Sequence, residues 1–284
     1  MLIYSSEGNL HIQNVPDLDL EQTLDCGQAF RWEQLSPGVF QGVAGGRLLR
    51  VSRSGQELVL HGTTEAEFEA FWRGYFDLDR DYGAIKELLR QDAVFAKALN
   101  FAPGIRILRQ EPWEALCSFI ISQNNHIPRI KGIIQRLCEC FGEEVAPGLF
   151  SFPSAQRIAA LSADELAPLR CGFRTRYILD AAHKVATNEV DFSAIAEMSA
   201  EEAEQELCKI VGVGSKVARC ALLFGFAKVE CLPLDVWIKR CMAQLFPQGL
   251  PEYAVPYAGI AQQYLFHYVR LTPGALPGEP ATVK

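Results

Sequence analysis

The spacing of apolar residues changes period along this chain, and that change restricts the folds open to it. Residues 38–62 read as three short runs, Gly-Val-Phe-Gln-Gly-Val-Ala, Arg-Leu-Leu-Arg-Val-Ser and Glu-Leu-Val-Leu-His. Gly45-Gly46 and Ser54-Gly55 separate them, pairs suited to tight hairpin turns, so an antiparallel sheet is predicted. Beyond residue 64 the spacing turns helical. Phe68, Phe71, Trp72 and Phe76, then Ile85, Leu88, Leu89 and Phe95, predict helices over 65–76 and 82–98. From about residue 104 the pattern is helical almost throughout. Ile130, Ile133, Ile134, Leu137, Cys138 and Phe141 form one apolar stripe, with Pro128 suited to a first turn. The fold class is α+β: an N-terminal antiparallel β-sheet domain with flanking helices over 1–98, then a mostly helical part over 99–271. A loose tail is expected over 272–284, where Gly274, Pro277, Gly278 and Pro280 fall.

With 49% hydrophobic and 21% charged residues the chain can bury a sizeable core, which excludes disorder, fibres and disulfide-stapled miniature folds. The net charge of -7 argues against a broadly basic surface, and residues 1–100 hold 9 Lys/Arg against 15 Asp/Glu. A nucleic-acid reading therefore rests on placed residues rather than on the overall field. Nine cysteines form an odd set, and no signal peptide or membrane-length apolar run is visible. The expectation is reduced thiols in a monomeric cytoplasmic protein, at the nucleoid if the source is prokaryotic, with no membrane. Cys138 and Cys140 make a lone C-x-C pair, a weak zinc signal on a predicted helix, and are read as structural.

A glycine hairpin concentrates the chemistry. Ser199 and Glu202 form a capping box ahead of a helix running to about Ile210; Val211-Gly212-Val213-Gly214 follows, and a second helix opens at Ser215 or Lys216. The hairpin unit spans 199–226. Gly212 and Gly214 allow close backbone approach, and the second helix offers unpaired N–H groups, which suits a phosphate. A plain connector between helices is the competing reading. Lys216 falls in the first turn, where the helix dipole disfavours a cation, and Asp235 is placed as the N-cap of a helix starting at Val236. Lys216 is then either an amine nucleophile or a phosphate ligand, and Asp235 either a stabiliser of positive charge on a sugar or merely a cap.

The run from Leu207 to Cys220 (Leu-Cys-Lys-Ile-Val-Gly-Val-Gly-Ser-Lys-Val-Ala-Arg-Cys), followed by Val229-Glu-Cys-Leu-Pro-Leu-Asp-Val236, resembles the signature of the helix–hairpin–helix DNA glycosylases. Lysine at 216 marks the strand-cleaving members. The closer resemblance is to the 8-oxoguanine DNA glycosylase family, through four further stretches. These are Cys26-Gly-Gln-Ala-Phe-Arg-Trp32, Gly104 to Trp113 with Ser118 to Arg129, Gly172-Phe-Arg-Thr-Arg-Tyr177, and Gly259 to Phe266. Their order is preserved over roughly residues 10 to 271.

That resemblance implies a bifunctional DNA glycosylase and abasic-site lyase. It excises 8-oxoguanine opposite cytosine through a lysine Schiff base and cleaves 3′ to the site by β-elimination. Lys216 and Asp235 are the implied catalytic pair. The Gly27 carbonyl would accept from N7–H, the proton guanine lacks; Cys220 and Phe266 would sandwich the flipped base and Gln262 read its Watson–Crick edge. Arg129 and Arg174 would read the orphaned cytosine while Asn124 fills the vacated space and Phe173 wedges beside it. Gly212, Val213 and Gly214 would hold a DNA phosphate. The partner is double-stranded DNA carrying an 8-oxoguanine:cytosine pair. No cofactor or metal is implied beyond a monovalent or divalent cation at the hairpin.

Two positions depart from the family pattern. Trp237 stands where the vertebrate-type pattern has a phosphate-touching histidine, and the hairpin has Val211 in place of proline. No iron–sulfur cluster is expected, since no cysteine lies beyond Cys241. The rival readings are a related glycosylase with other or broader lesion choice, an inert DNA-binding hairpin protein, and a purely structural helical protein.

Overall fold

The computed structural model describes residues 1–276. Its N-terminal part is a six-stranded antiparallel sheet of β1 (Leu2–Ser6), β2 (Asn9–Gln13), β3 (Trp32–Ser36), β4 (Val39–Ala44), β5 (Arg47–Ser54) and β6 (Glu57–His61), in the order β1-β2-β6-β5-β4-β3. The three strands expected over 38–62 are its centre and one flank. The other three carry weak patterns: β1 buries no residue fully, and β3 buries only Trp32. β2 does alternate, with Leu10 and Ile12 buried, but its partner is β6, Leu10 facing Leu60 and Ile12 facing Leu58. Pairings of residues 50 and 46 apart in sequence leave no local trace.

The segment 65–75 is helical as expected but contains a π turn over Phe68–Trp72. Phe68, Trp72 and Phe76 are all buried against the sheet with Leu49, Val51 and Leu58. The helix expected over 82–98 is two: α1 (Tyr82–Leu89) and α2 (Ala93–Phe101). Arg90 closes the first, and Asp92 caps the second, accepting from the Val94 N–H at 2.7 Å. Both pack into the helical body, where Ile85, Leu89, Phe95 and Leu99 join a core that includes Tyr264. These two helices thus pack with the helical core although they precede residue 102, and Cys26 and Phe30 join the same core while Leu108 joins the sheet's.

That helical body comprises α1 and α2 with α3 (Pro112–Ser122), α4 (Ile127–Phe141), α5 (Arg174–Ala186), α6 (Ala200–Leu207), α7 (Ser215–Gly225), α8 (Val236–Leu245) and α9 (Ala258–Leu271). Helix α3 is buried at every residue from Trp113 to Ile121, so the others assemble around it. The capping box joins Ser199 and Glu202, and Pro128 stands in the first turn of α4. The helical pattern does not extend to 104–111, which runs extended through the junction of sheet and helices; Arg106 there is buried and donates to the carbonyls of Asp77 and Pro16. Of the tail expected over 272–284, residues 277–284 lie outside the described residues. The described part is not loose throughout, since Leu276 is buried in the core.

Candidate active site

A cavity of about 510 Å³ opens between the end of α3, the starts of α4 and α7, helix α9 and the 26–28 loop. Lys216, Asp235, Gly27, Cys220, Gln262 and Phe266, the expected catalytic and base-pocket residues, all line it.

Lys216 is the second residue of α7, and its Nζ donates to Ser122 Oγ at 3.2 Å while standing 5.3 Å from the centre of the Phe119 ring. Ser122 passes its own hydrogen to the Phe119 carbonyl at 2.8 Å, so the amine is held at the last turn of α3 by a neutral acceptor and no carboxylate. Asp235 is the N-cap of α8, Oδ1 accepting from the Ile238 N–H at 2.7 Å. That bond fixes the carboxylate at the cavity wall. Cys220, one turn after Lys216, is buried; burial pushes its thiol up, with the Lys216 charge opposing.

The base-reading wall is built from long-range contacts. Gly27 has φ +86, a conformation that favours glycine, and a Cβ there would meet Arg270 Nη1 at 3.4 Å and Phe266 Cε1 at 3.5 Å. Three glutamines hold its loop. Gln263 donates to the Cys26 carbonyl at 3.0 Å, Gln110 to the Gln28 carbonyl at 2.7 Å, and the Gln28 side chain binds both the Arg106 carbonyl and the Leu108 N–H. The carbonyls on either side of Gly27 are thus taken, and its own has no donor among the described residues. Gln262 lines the cavity and is buried, and its Oε1 has no hydrogen-bond donor among the described residues.

Sequence reasoning missed Ser122, Phe119 and Arg270. Ser122 and Phe119 lay inside a quoted stretch without an assigned role. Arg270 stands four residues after Phe266 on α9, a spacing that signals one helical face; its guanidinium is 5.2 Å from the Phe266 ring. Next to it, His267 faces Phe101, and burial aided by the Arg270 charge pushes its pKa down to about 4, with Asp25 opposing.

Beyond the cavity mouth, Asn124 is exposed at φ +47 and Phe173 is 51% exposed at the N-cap of α5. Arg129 is also exposed, its guanidinium donating to the Arg170 carbonyl at 3.3 Å. Arg174 is turned inward in this structure. It is 2% exposed, and its guanidinium faces inward, donating to the carbonyls of Gln123, Asn124 and Cys171 and lying 4.4 Å from the Phe173 ring. In this conformation it fastens the turn that presents Asn124, rather than presenting donors to a base.

The hairpin glycines also divide their duties. Gly212 has φ +80, and a Cβ there would stand 2.4 Å from the Tyr177 ring, so its close approach is to this chain itself. Val213 is buried, and its N–H is committed to the Ile210 carbonyl at 3.0 Å; as a phosphate donor it is spent. Gly214 is exposed, faces open space and caps α7 with no side chain. Unlike α8, closed by Asp235, α7 begins with amides that no side chain satisfies. Trp237 lines the cavity with Arg240 5.9 Å from its ring. All nine cysteines are free, and burial pushes the Cys138 thiol up to about 12. No group of three or more His, Cys, Asp or Glu able to hold a metal occurs among the described residues, and no helix there is long and apolar enough to cross a membrane.

Comparison with known proteins gives two family matches that adjoin. Residues 11–116 match the 8-oxoguanine DNA glycosylase N-terminal domain, and residues 117–249 match the HhH-GPD superfamily of base excision DNA repair proteins. The chain is 30% identical over 261 residues to an N-glycosylase/DNA lyase of Saccharomyces cerevisiae, covering 80% of this chain and 68% of that one. The solved structure of MBOgg1 in complex with a low-affinity DNA ligand is similar with a TM-score of 0.90 and 39% identity, covering 95% of this chain and 98% of that one. The Clostridium acetobutylicum 8-oxoguanine glycosylase/lyase, solved with duplex DNA containing cytosine opposite 8-oxoguanine, gives 0.89 and 34% over the same shares.

Proposed function

This chain belongs to the 8-oxoguanine DNA glycosylase family of helix–hairpin–helix base excision repair proteins, a DNA glycosylase and abasic-site lyase, and from that premise we propose how its cavity performs the reaction. The flipped 8-oxoguanine enters between Cys220 and Phe266, where Gln262 Oε1 accepts from its Watson–Crick edge and the Gly27 carbonyl from N7–H. The observation that carries the reading is that Gly27 and Gln262 line the cavity that holds Lys216 and Asp235, and that among the described residues neither the Gly27 carbonyl nor Gln262 Oε1 has a donor.

Lys216, as the free amine after its ammonium has lost a proton to solvent, leaves Ser122 and bonds to C1′ through its nitrogen lone pair as the C1′–N9 bond breaks and its electron pair departs with the base. The fixed Asp235 carboxylate stabilises the positive charge that builds on the sugar. Collapse to the Schiff base acidifies the C2′ proton, and its loss expels the 3′ phosphate. Ser122 is a positioning residue: it holds Lys216 Nζ with a neutral hydroxyl, where a carboxylate would favour the ammonium, which cannot attack.

Opposite the lesion, Asn124 and Phe173 occupy the opened stack and Arg129 donates to the cytosine; Arg174 joins it only after releasing the Gln123 and Asn124 carbonyls. Gly214 and the first-turn amides of α7 bind a phosphate, with a monovalent or divalent cation on the hairpin carbonyls as an accessory. The protein acts as a monomer on duplex DNA in the cytoplasm, at the nucleoid of a prokaryote, without other cofactor.

The test mixes the protein and borohydride with a duplex holding one 8-oxoguanine opposite cytosine. A covalent adduct, lost in Lys216→Gln and weak opposite adenine, is expected. Base release without an adduct would demote Lys216 to a phosphate ligand.

A further inference from the structure

Arg270 is a cation without a counter-ion in the wall of the reaction cavity. Among the described residues no carboxylate pairs with it. Asp25, whose charge is felt at the neighbouring His267, is bonded instead to Lys131 at 2.9 Å. Arg270 Nε is buried without an acceptor, and its one close partner is the Phe266 ring. Leaving a guanidinium partly desolvated and unpaired is costly, and a fold tolerates it where a bound group completes the pair.

Its position identifies that group. Arg270 lines the same cavity as Gly27 and Phe266, with Nη1 3.4 Å from the point where a Gly27 side chain would begin. Gln262, also on α9 and two turns before Arg270, supplies an unpaired acceptor. The cavity therefore offers an acceptor beside Gln262 and charged donors beside Gly27. This pattern fits an oxidised purine with N–H groups on one edge and carbonyl oxygens flanking N7–H on the other.

We propose that Arg270 donates to a carbonyl oxygen of the flipped base beside the edge that Gly27 reads, and stabilises the base as a leaving group. The proposal rests on the reading of this cavity as the lesion pocket. When the C1′–N9 bond breaks, its electron pair goes to the base and delocalises onto the carbonyl oxygens. Lys216 supplies the pair for the new bond to C1′, and a proton shed by the resulting ammonium is available to neutralise the base. Between those events the negative charge is held beside a cation already in place. Abasic-site cleavage by the same lysine has no base to stabilise.

That asymmetry gives the test. Arg270→Met and Arg270→Lys are compared with wild type in single-turnover assays on an 8-oxoguanine:cytosine duplex and on a duplex with a preformed abasic site. Thermal unfolding verifies that each variant is folded. In Arg270→Met the ratio of base release to abasic-site cleavage is expected to fall about 10- to 100-fold, the worth of a charge-assisted hydrogen bond, with partial recovery in Arg270→Lys. Parallel loss of both activities would make Arg270 a DNA-backbone or structural residue and overturn the proposal, as would an unchanged ratio. If wild type itself neither releases 8-oxoguanine nor cleaves abasic DNA, the lesion-pocket reading fails first.

Discussion

Two cavities of nearly equal size flank Phe30, which lines both. One, about 500 Å³, lies between the sheet and α4; the other, about 510 Å³, holds Lys216. Both cations that line the first are paired, Arg31 with Glu114 at 3.2 Å and Lys131 with Asp25 at 2.9 Å, and among the described residues none of its lining side chains has a buried polar atom without a partner. The second contains an amine on a neutral hydroxyl, an amide oxygen with no donor and a guanidinium with no acid. Volume does not separate them; unfinished hydrogen bonding does. A cavity closed in its own polar groups is a packing seam, and one left open is waiting for a ligand.

The largest expected effect breaks that comparison at its centre. Lys216→Gln removes the amine but keeps a side chain able to reach Ser122, so the fold and lesion binding persist. Single-turnover excision falls by about 10,000-fold or more and borohydride trapping disappears. Retained excision in this variant would mean that the open cavity binds without reacting. Asp235→Asn comes next. Asparagine caps a helix as well as aspartate, so the Ile238 N–H remains satisfied and the melting temperature moves little. The lost charge is expected to lower excision by about 100- to 1,000-fold. Asp235→Ala adds the cap penalty of about 1 kcal/mol, and the difference between the two variants separates the two roles.

What the sequence made legible follows the same division between local and distant contacts. The Ser199–Glu202 box, the Asp235 cap, the hairpin glycines and the α4 stripe all act within one or two turns. Spacing and residue type expose them before any fold is known. The sheet's β2–β6 pairing and the three glutamines around Gly27 act over large separations. The Gln263–Cys26 bond joins residues 237 apart in sequence, and no period records it. Arg174 shows a related limit: residue type suggests a base reader, but its inward direction in this conformation is set by carbonyls of Gln123 and Asn124, 51 and 50 residues away, which no local pattern records. Similar limits apply to Gly212, where the need for glycine was legible but the neighbour, Tyr177, was not.

Gly212 therefore supplies the third prediction. Gly212→Ala forces a Cβ onto the Tyr177 ring at a positive φ and should destabilise the hairpin by about 2 kcal/mol. Affinity for damaged and undamaged duplex should fall together, because phosphate contact is blind to the base. Selective loss for damaged DNA would tie the hairpin to the lesion pocket instead. Gln262→Leu sharpens the contrast between open and closed polarity. Removing an unsatisfied buried oxygen is expected to leave stability unchanged or raise it by about 1 kcal/mol, while excision falls by about 10-fold. A variant that loses both would show that Gln262 is satisfied within the fold, and the rule separating the cavities would fail there.

The smallest effect lies behind the open cavity's wall. His267 adjoins Phe266 but turns to Phe101, and its pKa is pushed down to about 4 by burial and by Arg270. An unfolded histidine takes its proton near pH 6.5, so between those values the unfolded chain binds more protons than the folded one. The stability contributed above about pH 6.5 is therefore lost as pH falls toward 4. Discounted for solvent screening, the change is about 1 kcal/mol. His267→Gln should flatten this acid limb in urea denaturation at pH 7 and 4.5, with excision near neutrality within about twofold of wild type. An unchanged slope would place the titration elsewhere. A large loss of excision would move His267 into the reacting wall, and the boundary between the chemistry on one side of α9 and the packing on the other would have to be redrawn.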